Sequence, residues 1–406
     1  MTLTFICLFL ALPILGISGQ DRKIILPELT GPHTIGLTHL ELIDASRSDP
    51  FSPKAGSPRD LMLTIFYPTA PSSSSSPLAP QFGPATASHI DAALSLRPGT
   101  AALLTTRAHL DAPPLASPSP PPAVLLFSHG FGFVRGLYSA LLSELASYGW
   151  VAVAVDHPYD AGVVEYPDGR TAEARDWSWP LSPAAREEAL GARVRDLLFV
   201  REWLSGAEAG AGEGARGGRR FGVDAGWDVV DGVRGELKLQ CQGQSQESGT
   251  LNVSRVAVLG HSFGGAAAVQ ALMNSSAAVA AADLDGYLYG PVVRSGTEKP
   301  VLVLGFPEHF ATDDPDAAPG WPGLKGWKRD FTIAGTVHES YSDYSVFADL
   351  LGDQGPDAGT IRGRRMVEII RTYIDAFFRK FVLGTDDEGL LDGNSSIFAG
   401  VSLRRR

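Results

Sequence analysis

Ser262 stands inside "VAVLGHSFGGAAAVQ" (256–270), flanked by Gly260 and Gly264, and two residues downstream have the types that would activate it: Asp285 in "AAVAAADLDGYLYG" and His338 in "TIAGTVHESYSDY". A serine hydroxyl is a poor nucleophile at neutral pH until an imidazole takes its proton, and a carboxylate on the far ring nitrogen fixes the tautomer and stabilises the imidazolium. The chemistry such a set supports is acyl transfer. With 45 glycines in 406 residues, about 0.4 accidental G-x-S-x-G matches are expected, so the five residues alone carry little. Their setting carries more. Val256 to Leu259 reads as a buried strand and Ala266 to Met273 as a helix, which puts the serine on the tight turn of a nucleophile elbow. Gly260 and Gly264 are small enough to let the chain pass closely on either side. The helix start aims N–H groups and a positive dipole end at the serine, which favours an oxyanion forming beside it.

The order nucleophile, acid, histidine is the order used by hydrolases built on a mostly parallel sheet. Asp285 lies 23 residues after the serine (285 − 262), directly before a glycine that can turn the chain. Asp283 is the rival acid, because alternation along a strand would point it the same way; the position at the turn favours Asp285. Among the other histidines, His129 belongs to the segment expected to bind the oxyanion, His157 ends a strand too early in the chain, and His261 adjoins the serine and would have to fold back on itself. An oxyanion hole needs two N–H donors, one from the residue after the nucleophile and one from the loop after an early strand, here Phe263 and Phe131. Their rings either line an acyl pocket or, more ordinarily, pack in the core. No H-E-x-x-H, C-x-x-C or paired-histidine spacing is present, so neither a metal nor another cofactor is expected.

The elements that must hold these residues read as an α/β alternation. "LMLTIFYP" (61–68), "AVLLFSHG" (123–130), "WVAVAVDH" (150–157), "RVAVLGHS" (255–262) and "PVLVLGF" (300–306) are apolar β-branched runs ending in Gly, His or Pro, the pattern of buried strands. Helices are expected at 183–204, opened by Ser182 and Pro183, and at 364–382, where Met366, Ile370, Tyr373, Phe377 and Phe381 share a face. Strands alternating with helices imply a mostly parallel sheet covered on both faces, with functional groups at the strand C-termini.

Three stretches are excursions from that core: "PSSSSSPLAP" (71–80), "APPLASPSPPPA" (about 112–122) and "GAEAGAGEGARGGRR" (206–220); none can bury enough apolar surface to order itself. "DWSWP" (176–180) reads as packed tryptophans or as an interfacial lip for lipid. The basic "RGGRR" and the terminal "RRR" read as solvated charge. Residues 1–19 have the apolar length and small-residue close of a signal peptide, with no Lys or Arg before Asp21, and retention as an anchor is the alternative. The mature chain, 20–406, is expected to be one domain and to be exported. Cys241 is then its only cysteine, so no internal disulfide can form. Sequons at Asn252, Asn274 and Asn394 suit a glycoprotein. The net charge of −11 excludes nucleic acid as the main partner.

The segments "SHGFGFVRGLYSALLSELASYGWVAVAVDHPYDAG" (128–162), "GHSFGGAAAV" (260–269), "DLDGYLYG" (283–290) and "VHESYSDY" (337–344), with the upstream "DPFSPKAGSPRDLMLTIFYP" (49–68), resemble the secreted platelet-activating factor acetylhydrolase family. That is the calcium-independent group of lipoprotein-associated phospholipase A2 type, and the fungal members are the nearest in look. The resemblance spans most of the mature chain and departs at 206–250 and 177–183. It implies the α/β-hydrolase fold and a serine esterase acting on short or oxidised sn-2 acyl groups of phospholipids without a cofactor. It also implies Ser262 as nucleophile, Asp285 as orienting acid and His338 as general base. A general carboxylesterase, lipase or polyester hydrolase on the same scaffold is the competing expectation, and a non-catalytic hydrolase-like binder is the more distant one.

Overall fold

Apolar runs between Gly, His and Pro form the middle of one twelve-stranded sheet. The structure is a computed structural model that describes residues 23–71, 76–115, 122–177, 180–205, 236–237, 249–308, 320–352, 358–393 and 397–406. The expected signal segment, the Gly-rich stretch 206–220, Cys241, Trp179 and Asn394 lie outside the described residues.

The strands are β1 (Ile24–Ile25), β2 (Thr34–Ser48), β3 (Pro58–Thr69), β4 (Leu78–Pro80), β5 (Leu104–Leu110), β6 (Ala123–Ser128), β7 (Val151–Asp156), β8 (Val163–Glu165), β9 (Thr171–Glu173), β10 (Glu236–Leu237), β11 (Gly249–Thr250), β12 (Asn252–His261), β13 (Ala278–Leu284), β14 (Val301–Gly305), β15 (Lys328–Ile333) and β16 (Val401–Arg405). The helices are α1 (Pro84–Ala93), α2 (Ser139–Ser147), α3 (Pro183–Leu204), α4 (Phe263–Asn274), α5 (Pro291–Ser295), α6 (Tyr344–Leu351) and α7 (Gly363–Phe378). The sheet order is β1-β5-β2-β3-β7-β6-β12-β13-β14-β15-β16, with β4 paired to β5. The run from β7 to β15 is parallel throughout, and β3 and β16 close it antiparallel on either side. This is the α/β-hydrolase arrangement, and β12 sits at its centre.

Alternation splits each central strand between two cores. On β6 and β7, Leu125, Phe127, Ala152 and Ala154 face the layer of α2, α6 and α7, while Val124, Leu126, Val151, Val153 and Val155 face that of α3 and α4. Helix α3 starts where expected, with the Ser182 hydroxyl accepting from Ala185 N–H at 3.3 Å. Helix α4 begins at Phe263, three residues earlier than its sequence pattern indicates. Helix α7 ends at Phe378 and passes into a π turn over Arg379–Leu383.

Two expectations need correcting. The first two low-complexity stretches are anchored at their edges: Leu78–Pro80 pairs with β5, Tyr67 Oη donates to Ala112 O at 2.7 Å, and Leu115 N–H to Pro68 O at 2.8 Å. Hydrogen bonds to the backbone, which carry no composition signal, hold those edges. Two of the terminal arginines are not simply solvated. Arg404 and Arg405 reach the carboxylate of Asp330, which is fully buried in β15, at 2.8 to 2.9 Å. Among the described residues no helix is long and apolar enough to cross a membrane.

Candidate active site

Ser262 is the residue between β12 and α4, and its backbone carries the cost of that abrupt turn, with φ 57° and ψ −124°. For a side-chain-bearing residue this is a sparsely populated region, and such strain is characteristic of a nucleophile elbow. The packing explains the flanking residues. A Cβ on Gly260 would run into the Gly264 carbonyl, and one on Gly264 into the carbonyls of Ser128 and His129. Ser262 N–H donates to Leu284 O at 2.8 Å, and Asp285 N–H to Leu304 O at 2.8 Å. The first bond ties the end of β12 to β13 and the second the end of β13 to β14.

The three residues singled out for chemistry are brought together. His338 Nε2 lies 2.9 Å from Ser262 Oγ, and His338 Nδ1 lies 2.5 Å from Asp285 Oδ2. The other oxygen of Asp285 accepts from Phe306 N–H at 2.9 Å, so the carboxylate is oriented at both atoms. Asp285 is itself in the left-handed region, with φ 56°; the turn that aims it is strained as well. His338 comes from the loop after β15, with its side chain 37% exposed, while Asp285 is fully buried. Burial alone would lower the imidazole pKa, but the hydrogen bond and charge of Asp285 outweigh it and raise the value above 6.5.

Asp283 has a different environment. Its Oδ1 accepts from Gly286 N–H at 2.8 Å, its Oδ2 has no hydrogen-bond partner, and the carboxyl packs so closely under the elbow that a Cβ on Gly265 would collide with it. Burial pushes its pKa well above the ordinary 3.8, and the nearby carboxylates of Asp285 and Asp330 add to that. Its charged form is disfavoured beneath the elbow.

A second Ser-His-Asp set was not anticipated. Ser128 Oγ is 2.9 Å from His157 Nε2, and His157 Nδ1 is 2.8 Å from Asp196 Oδ2. The distances match those at Ser262, yet all three side chains are 0% exposed and Ser128 lies in regular strand. With no access and no strained turn, this set is a buried network, tied through Asp196 to Arg59 at 2.8 Å. A sequence signal for it exists: Arg193 and Asp196 fall on the face of α3 that also carries Ala189 and Val200, where apolar residues are expected.

Phe131 and Phe263 stand next to each other, ring centroids 5.7 Å apart and edge-on. Phe131 also meets Trp177 at 5.5 Å, and Phe263 meets Tyr289 at 6.3 Å. Trp177 is thus packed, with its Nε1 donating to Tyr159 O at 2.8 Å. Of the sequons, Asn274 is exposed at the end of α4, and Asn252 is half-buried at the start of β12, where its Oδ1 accepts from Ser254 Oγ at 2.8 Å. Among the described residues no three His, Cys, Asp or Glu side chains converge as metal ligands.

Known proteins share this architecture. The chain is 26% identical over 428 residues to a probable 1-alkyl-2-acetylglycerophosphocholine esterase of Arthroderma benhamiae, covering 98% of each. It is 26% identical over 274 residues to a platelet-activating factor acetylhydrolase of Cavia porcellus, covering 65% of this chain and 58% of that protein. The structure of a ferulic acid esterase from Streptomyces cinnamoneus superposes with a TM-score of 0.72 at 28% identity, over 94% of this chain and 99% of that one. Residues 18–196 and 228–389 match the family described as platelet-activating factor acetylhydrolase, isoform II. The chain belongs to that family and is an ester hydrolase of the α/β-hydrolase superfamily.

Proposed function

We propose that the protein is an exported serine esterase that removes short or oxidised sn-2 acyl groups from phospholipids such as platelet-activating factor, a calcium-independent phospholipase A2 activity. The observation that carries this reading is the strained Ser262 with His338 Nε2 at 2.9 Å and Asp285 on the far ring nitrogen at 2.5 Å. The substrate class is supported by the name of the relative matched over 98% of its length. Export is supported by the apolar residues 1–19, and glycosylation by the sequons, of which Asn274 is exposed.

In the proposed reaction Ser262 Oγ attacks the ester carbonyl carbon as its proton passes to His338 Nε2. The carbonyl oxygen becomes an oxyanion facing the N–H groups of Phe131 and Phe263. The tetrahedral intermediate then collapses: the C–O bond to the lysophospholipid breaks, and the leaving oxygen takes the proton from His338. Water, deprotonated by the same imidazole, attacks the acyl-serine and releases the acid and the free serine. Asp285 holds the imidazole tautomer throughout.

A carboxylesterase acting on simpler or aromatic esters is the second reading, favoured by the aromatic surroundings of Phe131, Trp177, Phe263 and Tyr289 and by the likeness to a ferulic acid esterase. A panel of sn-2 acetyl and sn-2 long-chain phospholipids, p-nitrophenyl esters and feruloyl esters separates them by kcat/KM. The phospholipid reading expects sn-2 acetyl substrates to lead; it fails if feruloyl or p-nitrophenyl esters are preferred. Ser262→Ala should cost on the order of 10⁶ in kcat on every substrate, and turnover near the wild-type rate would overturn the assignment of the site.

A further inference from the structure

The loop between β6 and α2 is held by groups that the reaction itself does not touch, and they converge on one residue, Gly130. Its N–H donates to Tyr138 Oη at 2.9 Å, and its carbonyl accepts from His129 Nδ1 at 2.6 Å and from Arg193 Nη2 at 3.4 Å. Both peptide planes that meet at Gly130 are therefore fixed by side chains, His129 and Tyr138 from the same loop and Arg193 from α3. Tyr138, His129 and Arg193 are each 0% exposed.

A buried guanidinium is costly unless all of its five donors are used. Arg193 uses them on this loop and its surroundings. Nε and Nη2 take the two oxygens of Asp160 at 2.6 and 2.5 Å, Nη2 also reaches Gly130 O, and Nη1 donates to Ser128 Oγ at 3.2 Å and to His129 O. Asp160 closes the circle, since its own carbonyl accepts from Gly132 N–H at 3.1 Å. The histidine tautomers follow from their partners. His261 Nε2 donates to His338 O at 3.0 Å, which leaves Nδ1 to accept from Tyr138 Oη at 2.8 Å. The Tyr138 oxygen is then free to accept from Gly130 N–H.

A trans peptide is planar with its C=O and N–H antiparallel. When Arg193 and His129 capture the carbonyl of Gly130, the N–H of Phe131 in the same plane is aimed away from Arg193. We propose that Arg193 and Tyr138 are positioning residues that clamp the two peptides meeting at Gly130, Arg193 the Gly130–Phe131 plane through its carbonyl and Tyr138 the preceding His129–Gly130 plane through its N–H, so that the Phe131 N–H is set toward the oxyanion before substrate arrives. The inference rests on the assignment of Ser262 as nucleophile and of Phe131 as an oxyanion donor. Preorganisation of this kind lowers the barrier because no dipole has to reorient as charge develops.

The test compares Tyr138→Phe, which removes one hydroxyl from a side chain of otherwise equal shape, with Arg193→Met/Asp160→Asn, which removes the ion pair together so that no carboxylate is stranded. Each is measured for kcat and KM, for the pH profile, and for inhibition by a trifluoromethyl ketone substrate analogue. That analogue adds Ser262 Oγ at its carbonyl carbon and places a stable oxyanion in the same hole, with the serine proton passing to His338.

Deleting an oxyanion donor outright costs about 10²–10³ in kcat; misaiming one should cost about 10- to 100-fold for the same reason. The loss should fall on kcat with KM little changed, the ketone should weaken in proportion, and the acid limb of the pH profile should stay in place. Unchanged kcat and unchanged ketone affinity in folded Tyr138→Phe would overturn the proposal. So would a loss that falls on KM or moves the acid limb, since it would place the role of Tyr138 in substrate binding or in the His261–His338 contact. If the double variant does not fold, Tyr138→Phe decides alone. Retained turnover in Ser262→Ala would instead remove the reading of the site on which the clamp depends.

Discussion

At Ser262 and Asp285 the chain accepts backbone strain, φ 57° and 56°, to aim two side chains at one imidazole. The buried Ser128, His157 and Asp196 reach similar distances without strain and without access, so geometry among three residue types does not by itself define a nucleophile. The two neighbouring aspartates separate for the same kind of reason. Asp285 accepts from His338 Nδ1–H and from Phe306 N–H, whereas burial raises Asp283 well above 3.8 and disfavours its charged form. Asp285→Asn should therefore cost on the order of 10⁴ in kcat through the wrong histidine tautomer. Asp283→Asn, which keeps an oxygen for Gly286 N–H where burial disfavours charge, should leave turnover within a few-fold. The pH dependence has a definite sign. The imidazole must be neutral to accept the serine proton, so kcat/KM falls as pH falls through the pKa of His338, which Asp285 holds above 6.5. In Asp285→Asn the two larger raising influences are gone, leaving only the charge of Glu339 against burial, so the acid limb of the residual activity should move to lower pH. A limb that stayed where it is in the wild type would mean that Asp285 is not the partner of His338.

The elements that carry the site differ in how openly the sequence declares them. Strands β6, β7, β12 and β14 and helix α3 are legible because each is an uninterrupted apolar run or an apolar stripe with a capping residue, and Ser262, Asp285 and His338 could be picked by type, order and position at a turn. Strand β15, which delivers His338, was not legible, because "KRDFTI" puts a charged residue at a buried position. Its buried Asp330 makes sense only beside Arg404 and Arg405 of β16, which is about seventy residues away in sequence and antiparallel to it. Arg193 was hidden similarly, its partners Asp160, His129 and Gly130 lying on other elements. Pattern reading sees periodicity within one segment, and a buried charge breaks that periodicity unless its partner is known. The dependence of β15 on β16 can be measured. Arg404→Ala/Arg405→Ala should lower stability by about 3 kcal/mol, since a buried carboxylate loses its partners. Adding Asp330→Asn to that variant should restore most of the loss in urea unfolding. If the triple variant is no more stable than the double, Asp330 is solvated without its arginines and β16 stabilises the sheet edge by backbone pairing alone.

For the molecule as a whole, buried titratable groups on both sides of the sheet set an unusual response to acid. Desolvation, reinforced by nearby Arg135 or Arg193, keeps three imidazoles neutral: His39 is lowered to about 3, His157 to about 4, and His129 well below 6.5. The unfolded chain would bind these protons near 6.5, so the stability they contribute is present above that pH and is lost as pH falls toward the folded values. Buried carboxyls act in the opposite sense. Burial raises Asp343 to about 7, despite its bonds to Ala140 N–H and Gln81, and raises Asp60, Asp156 and Asp283 above 3.8. There the folded state holds protons that the unfolded chain releases, so the contribution is complete below 3.8 and is lost as pH rises through each folded value. Between 3.8 and 6.5 the two sets oppose each other, and the proton uptake that the histidines alone would cause on unfolding is reduced. Below 3.8 the balance ends, because the raised carboxyls are protonated in both states. Asp196 then joins the histidines: burial would raise it, but Arg59 and His157 hold it well below the usual range, so only the unfolded chain takes up that proton. The expected result is a urea midpoint that falls more steeply below pH 3.8 than between 6.5 and 3.8. A decline already as steep between pH 6.5 and 3.8 would show that the buried carboxyls do not hold protons in the fold and leave the histidines unopposed.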